Sequence, residues 1–203
     1  MKKIFCLLIL GHFALFTQAQ HTWYYAFTNN VTSLPFTGYP QIFYANLHPG
    51  LDAAYSKQLN QNVKHRLMLR GIATIYYHRF VQTLITAAPQ VAYEHSFGKG
   101  HFADIGLGVG GCLSFEQEGT LKLNSEGVYE RRTPFVPRPQ YVIQLQAGYS
   151  YALSRERPDG ARVKAGFRTT MQGTFAKSYV PLLPVNTFYV GVQLPLSTKT
   201  NAR

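Results

Sequence analysis

The chain has 203 residues, 46% of them hydrophobic and 14% aromatic, yet only 14% charged, against the usual quarter or so in a globular domain. No stretch beyond the N-terminal leader offers the 18 or more consecutive apolar residues of a membrane-crossing helix, which excludes a helical membrane protein but not a sheet that hides apolar residues at every second position. The formal net charge of +11 comes from scattered bases, among them Lys64, Arg66, Arg70, Arg79, Lys122, Arg131, Arg132, Arg138, Lys164 and Arg168; without a recognition motif this argues against nucleic acid as a partner.

Residues 1–19 read as a secretory signal peptide: basic Lys2 and Lys3, an apolar run over 4–16, and a small-residue site ending at Ala19. Cleavage there lowers the net charge from +11 to +9, because Lys2 and Lys3 leave. Cys6 leaves with them, so Cys112 alone remains and no internal disulfide can form. Stability must then come from a closed sheet.

The remaining chain divides into a barrel over 20–196 and a polar tail over 197–203. In 21–33, Trp23, Tyr25 and Phe27 alternate with Tyr24, Ala26 and Thr28, while 36–48, rich in Pro, Gly and aromatics, reads as a loop. Residues 50–59 set Leu51, Ala53 and Tyr55 against Asp52, Ala54 and Ser56, and 60–62 make a turn. Residues 65–78 set Leu67, Leu69, Ala73, Ile75 and Tyr77 against Arg66, Arg70, Thr74 and Tyr76. After a bend at 79–82, residues 83–97 alternate again, interrupted by Pro89, where a missing ladder donor predicts a bulge or kink.

The clearest alternation follows the turn at 98–100. Over 101–116, Ala103, Ile105, Leu107, Val109, Leu113 and Phe115 face one way and Asp104, Gly106, Gly108, Gly110, Ser114 and Glu116 the other. A long connection over 117–138 leads to 141–154, where Tyr141, Ile143, Leu145, Tyr149, Tyr151 and Leu153 oppose Gln144, Gln146, Gly148, Ser150 and Ser154. A turn at 157–160, a strand over 163–175, a proline-containing loop over 176–186 and a closing strand over 187–196 complete the chain. The two clearest strands reach the roughly 9 to 11 residues that a tilted strand needs to cross a bilayer. Short turns near Asn60, Lys99 and Asp159 oppose long links at 36–48, 117–138 and 176–186, with a moderate link near Arg79. Short turns on one side, long loops on the other and an even strand count describe an all-β, antiparallel, up-and-down transmembrane β-barrel of eight strands, the eighth supplied by 23–32.

A barrel of this size is filled by its own side chains or holds one small ligand. The inward set is Asp52, Arg66, Arg70, Gln90, Glu94, Asp104, Glu116, Gln144, Gln146, Lys164, Arg168 and Gln172, a mixture of acids and bases expected to neutralise itself and plug the lumen. The alternative use of such a set is binding or gating. Of seven histidines, His12 leaves with the signal, and His21, His48, His65, His78, His95 and His101 show no metal-ligand spacing, so no metal and no cofactor is expected; His95 and His101 flank one turn and could meet. Lipid-modifying chemistry would need a histidine near a serine and an acid at the outer rim, for which His78, Ser114 and Glu116 are the candidates. Cys112, on the small-residue face, reads as packing. Tyr76, Tyr77, Phe97, Phe102, Phe115, Tyr141, Tyr151, Phe175 and Tyr189 gather near strand ends, as interface girdles do.

With the strands placed, the chain resembles the small outer-membrane β-barrel proteins common in the Bacteroidota. The segments that carry the resemblance are His48-Pro49-Gly50-Leu51 entering a strand, Tyr77-His78-Arg79-Phe80 at a strand end, Phe97-Gly98-Lys99-Gly100 in a turn, and Ser178-Tyr179-Val180-Pro181-Leu182-Leu183-Pro184 before the last strand. One departure is the polar tail past Leu196, where such proteins end on a terminal aromatic. The resemblance implies the outer membrane of a Gram-negative cell, with lipid, lipopolysaccharide or a larger outer-membrane complex as partners. The expected role is non-enzymatic, in envelope integrity or partner binding through the loops. A lipid A or phospholipid-modifying enzyme and an exported, lipocalin-like soluble binder are the alternatives.

Overall fold

The computed structural model describes residues 21–79, 81–116, 121–131, 136–154, 156, 159–176 and 180–196. The expected signal peptide and polar tail lie outside that set. The elements in chain order are β1 (His21–Thr32), α1 (Pro35–Gln41), β2 (Pro49–Gln58), β3 (His65–His78), β4 (Gln82–Gly98), β5 (His101–Glu116), β6 (Leu121–Leu123), β7 (Tyr129–Arg131), β8 (Arg138–Ala152), β9 (Arg162–Ala176) and β10 (Val180–Pro195). Eight of the strands close into one antiparallel barrel in the order β1-β10-β9-β8-β5-β4-β3-β2, while β6 and β7 form a separate hairpin within the β5–β8 connection.

Period-two alternation decides which side of the wall each residue faces, and the barrel is the reverse of a soluble core. Along β3, Arg66, Met68, Arg70, Ile72, Thr74, Tyr76 and His78 are buried, and every residue between them is exposed. Leu107 and Val109 are each 60% exposed, whereas Arg168 is 1% exposed. Soluble proteins leave such arginines in water. From Leu67 to Tyr77 the outward positions of β3 carry no charge; ten steps of about 3.3 Å, tilted by roughly 40°, give an apolar band near 25 Å tall, the height of a membrane barrel's girdle-to-girdle belt.

The inward glycines of β5 let it lie close against β4. A Cβ on Gly110 would stand 2.2 Å from the carbonyl oxygen of Ala87, and one on Gly106 would stand 2.8 Å from Gln90 Oε1. Gly98, Lys99 and Gly100 all take positive φ (82°, 52° and 86°), so the β4–β5 turn needs glycine at both ends.

Several expectations are corrected. Residues 36–48 are not wholly loop: Pro35, at a helix start where its missing donor costs nothing, opens α1. Residues 176–186 are mostly strand, because β9 runs to Ala176 and β10 begins at Val180. Pro181 falls in the register shift between Val180 and Leu182, and Pro184 lies beyond the end of β1, which pairs only as far as Thr32 with Val185. Both prolines therefore sit where a strand tolerates them, at a bulge or an edge. Only residues 177–179 join β9 to β10, so two links at that end of the barrel, 33–48 and 117–137, are long. Pro89 makes no bulge: Gly71 pairs Pro89 in unbroken β3–β4 register, and the β4–β5 ladder skips two rungs there without shifting. Tyr76, Phe102 and Tyr189, expected in the girdle, are at most 3% exposed and point inward, as their parity with Arg66, Asp104 and Thr187 requires. Ser154 lies past the end of β8.

The helix α1 lies against the outside of the wall, over β9 and β10. Tyr39 and Phe43 pack on Phe167 at ring-centroid distances of 5.1 and 6.3 Å, and Phe43 packs on Phe188 at 5.7 Å. Gly38 touches the barrel so closely that an added Cβ would stand 2.1 Å from Asn186 Nδ2. Replacing Gly38 with valine is expected to lift the 33–48 segment while the barrel stays closed. Limited proteolysis should then cut within that segment in the variant alone, with heat-modifiable gel mobility unchanged.

Candidate functional site

Closing eight strands turns one face of every strand toward a single axis, and the polar side chains there must satisfy one another. Nearest the short turns, Glu94 accepts from Arg162 at 3.0 Å and from Arg66 at 3.5 Å. Both arginines also reach Asp159 in the β8–β9 connection, Arg66 at 2.6 Å and Arg162 at 3.2 Å, and flank the Phe102 ring at 5.3 Å for Arg66 and 3.6 Å for Arg162. One layer up, Asp104 pairs with Lys164 at 2.6 Å and with Arg70 at 3.1 Å, and Arg70 also donates to Gln90 and Ser56 at 3.2 Å each. Above that, Arg168 grips Asp52 with two bonds of 2.9 Å, while Thr74 donates to the same carboxylate at 2.7 Å.

Toward the long-loop end the buried polar side chains among the described residues are mostly amides and hydroxyls. Gln82 and Gln172 exchange bonds of 2.6 and 3.0 Å, Ser114 donates to Gln82 Oε1, and Gln172 donates to Gln140. Tyr76, Leu84, Ala88, Cys112, Val142 and Val185 form an apolar cluster among them, so Cys112 sits in packing. At the mouth the imidazoles of His48 and His78 stack in parallel, 3.7 Å between centroids and 7° between planes.

Eleven of the twelve lumen residues named from the sequence are thus buried on one axis; the side chain of Glu116 lies outside the described set. Gln144, Gln146 and Gln90 complete the middle of the lumen, Gln146 donating to Tyr189 Oη at 3.0 Å. A cavity of about 10 Å³ lies beside Thr86, Gln144 and Arg168. Thr86 Oγ1, Gln144 Oε1 and Arg168 Nε make no hydrogen bond among the described residues. That volume and three polar partners suit one buried water; nothing there has room for a substrate.

Sequence reasoning missed Arg162, Gln82 and Tyr24. Arg162 shares the parity of Lys164 but precedes the strand expected from 163, and Gln82, in the bend expected at 79–82, is the first residue of β4. The catalytic candidates are not joined by hydrogen bonds among the described atoms: His78 Nε2 meets Thr32 Oγ1 at 3.4 Å, and the Ser114 hydroxyl is spent on Gln82. His95 contacts His65, with 3.3 Å between their Nδ1 atoms, across the β3–β4 ladder. No group of three or more His, Cys, Asp or Glu side chains is placed to hold a metal among the described residues.

These features define a class: an eight-stranded barrel with an apolar outer wall and an ion-paired lumen. No family model matches the chain, and no curated protein does. Among solved structures it is similar to Neisserial surface protein A, with a TM-score of 0.48 and 11% identity over 87% of this chain and 96% of the other. It is also similar to Ail of Yersinia pestis, at 0.45 and 11% over 88% and 97%, and to the N-terminal β-barrel domain of Pseudomonas aeruginosa OprF, at 0.44 and 12% over 88% and 100%. Identities this low say nothing of activity.

Removing one partner of a buried ion pair costs about 3 to 5 kcal/mol, whereas replacing both with apolar residues of similar volume is often neutral. Asp52→Leu alone is expected to destabilise the folded barrel by an amount in that range, and adding Arg168→Met should recover most of it. Urea unfolding of the two single variants and the double variant in lipid vesicles measures the coupling. Additive losses would show that the bidentate contact contributes no pairwise energy.

Proposed function

We propose that the chain is an outer-membrane β-barrel whose role is structural or partner-binding, exercised through its long-loop end and not through chemistry in its lumen. One observation carries the reading: five cations, Arg66, Arg70, Arg162, Lys164 and Arg168, stand buried inside a sleeve whose outward residues are apolar and exposed. A lipocalin-like soluble binder has the opposite requirement, because water must wet its outside and an apolar ligand must fit its inside. Lipid outside and ion pairs inside satisfy both faces of this wall.

The non-enzymatic half of the proposal is supported by the lumen's filling and by the separate bonds that occupy Ser114 and His78. The 33–48 segment with α1 and the 117–137 segment with the β6–β7 hairpin stand at one end and provide the surface that a larger envelope complex could meet. The Bacteroidota resemblance fits this assignment of location.

Two measurements test the two halves. Leu107 lies midway along β5, so Leu107→Arg is expected to cost roughly 2 to 4 kcal/mol in vesicle-embedded protein, against about 0.5 kcal/mol or less at a solvated surface position. A small effect, or wild-type protein that stays monodisperse in buffer without detergent, would remove the membrane assignment. Mass spectra of lipid A from cells with wild-type protein, with His78→Ala and without the protein are expected to coincide; an acyl change abolished by His78→Ala would replace the structural role with an enzymatic one.

A further inference from the structure

The short-turn end carries a pattern that the lumen does not explain. His21, His65 and His101 are the first residues of β1, β3 and β5. Each turns outward, and each binds through Nδ1 the hydroxyl of a tyrosine on the neighbouring strand: His21 with Tyr55 at 2.5 Å, His65 with Tyr93 at 2.6 Å, and His101 with Tyr149. The register makes the three pairs equivalent. His21 lies opposite Lys57, His65 opposite His95 and His101 opposite Tyr151, so in every case the tyrosine stands two residues further along the partner strand, one same-face step toward the middle of the wall.

The pairing has a chemical consequence that holds for either tautomer. A neutral imidazole carries one N–H and a phenol one O–H, and the shared bond uses only one of them. Each pair therefore retains a donor at the outer surface; at the His65–Tyr93 pair His95 also approaches, with 3.3 Å between its Nδ1 and that of His65. A lysine lies near each pair in register or sequence: Lys57 opposite His21, Lys64 directly before the start of β3 at His65, and Lys99 in the β4–β5 turn two residues before His101. No ion pair engages these lysines among the described residues. Of the described acids in the β8–β9 connection, Asp159 is taken by Arg66 and Arg162, and Glu156 is exposed. One same-face step toward the wall's middle come Trp23, Leu67 and Ala103, and one step beyond Ala103 comes Ile105; Trp23, Leu67 and Ile105 are each more than a third exposed. A cation and a free donor directly above exposed apolar surface match a phosphodiester with acyl chains attached, whereas inorganic phosphate would use only the upper half.

We propose that the short-turn rim holds three stations, His21–Tyr55–Lys57, His65–Tyr93–Lys64 and His101–Tyr149–Lys99, each of which binds the phosphate of an anionic glycerophospholipid in the leaflet on that side. The proposal rests on the membrane reading above and adds a ligand class and three sites to it. Lysine near an anionic surface supplies the long-range attraction, and the histidine–tyrosine pair fixes where the phosphate stops.

The test uses the full folded chain in nanodiscs of phosphatidylcholine with one fifth phosphatidylglycerol, followed by native mass spectrometry of retained lipid. Wild type is expected to retain phosphatidylglycerol in preference, up to three molecules per barrel. The triple variant H21F/H65F/H101F should lose the stepwise occupancy, and K57Q/K64Q/K99Q, which leaves the histidine–tyrosine pairs in place, should bind about fivefold more weakly per lysine removed. Loss in either variant that keeps heat-modifiable mobility supports the stations. Equal retention of the two lipids by wild type, or retention unchanged in both variants, overturns them. That failure is distinct from failure of the membrane reading, in which wild type would not enter nanodiscs at all.

Discussion

The pairing of β1 with β10, from Thr22 opposite Pro195 to Thr32 opposite Val185, is the contact on which everything else depends. Without it the sheet would have two open edges, and unpaired amides cannot face hydrocarbon. With it, every spanning strand has two neighbours, and the inward face of each is removed from both water and lipid. Closure thus creates the lumen and, at the same moment, the obligation to neutralise whatever charge points into it.

That obligation is met in layers because each strand contributes one inward residue every two positions. One inward residue separates Arg66 from Arg70 on β3 (Met68), Gln90 from Glu94 on β4 (Ala92) and Lys164 from Arg168 on β9 (Gly166), while Arg162 and Lys164 are consecutive inward positions. Among the described buried residues carboxylates are fewer than cations, so Glu94 and Asp104 each serve two partners, and Asp159 reaches in from a connection to share the lowest pair. A network of shared acids ties β2, β3, β4, β5 and β9 across the axis, where backbone hydrogen bonds reach only adjacent strands. The network's role is therefore to hold the cross-section, which explains how a barrel with few buried large hydrophobic residues keeps one shape.

The inside and outside of the wall were legible in the sequence because parity is a local property. Asp104, Gly106 and Gly108 among Ile105, Leu107 and Val109 assign both faces without knowledge of any partner strand. Where each strand ends was less legible, since Pro181 and Pro184 are breakers in isolation and are tolerated only because β10 outruns β1 at that end. Arg162 was missed for a related reason: the signal of the Pro158–Gly160 turn is strong, and nothing local says that the strand resumes as early as it does. The side-chain partners within the lumen were not legible at all. Asp52 and Arg168 are 116 residues apart and meet only through closure.

The least foreseeable element, α1, follows from a fault in the outward pattern. At the long-loop end of β1, β9 and β10 the outward positions include Asn29, Thr169 and Asn186, polar groups on a wall that is elsewhere apolar. Left bare at a lipid boundary, each would lose its hydrogen bonds, at a cost of order 1 to 3 kcal/mol. The 33–48 segment supplies what they lack. Asn29 donates to Ile42 O at 2.9 Å and accepts from the His48 amide at 3.0 Å; Asn186 donates to Ser33 O at 2.6 Å and accepts from Thr169 at 2.9 Å; and Tyr39 closes on Thr169 at 2.5 Å. Having covered the polar patch, the segment exposes Phe43, Tyr44 and Leu47, each 68% or more, and so restores an apolar outer surface. Gly38 lets the two layers meet, since a Cβ there would stand 2.1 Å from Asn186 Nδ2, the same amide that donates to Ser33 O.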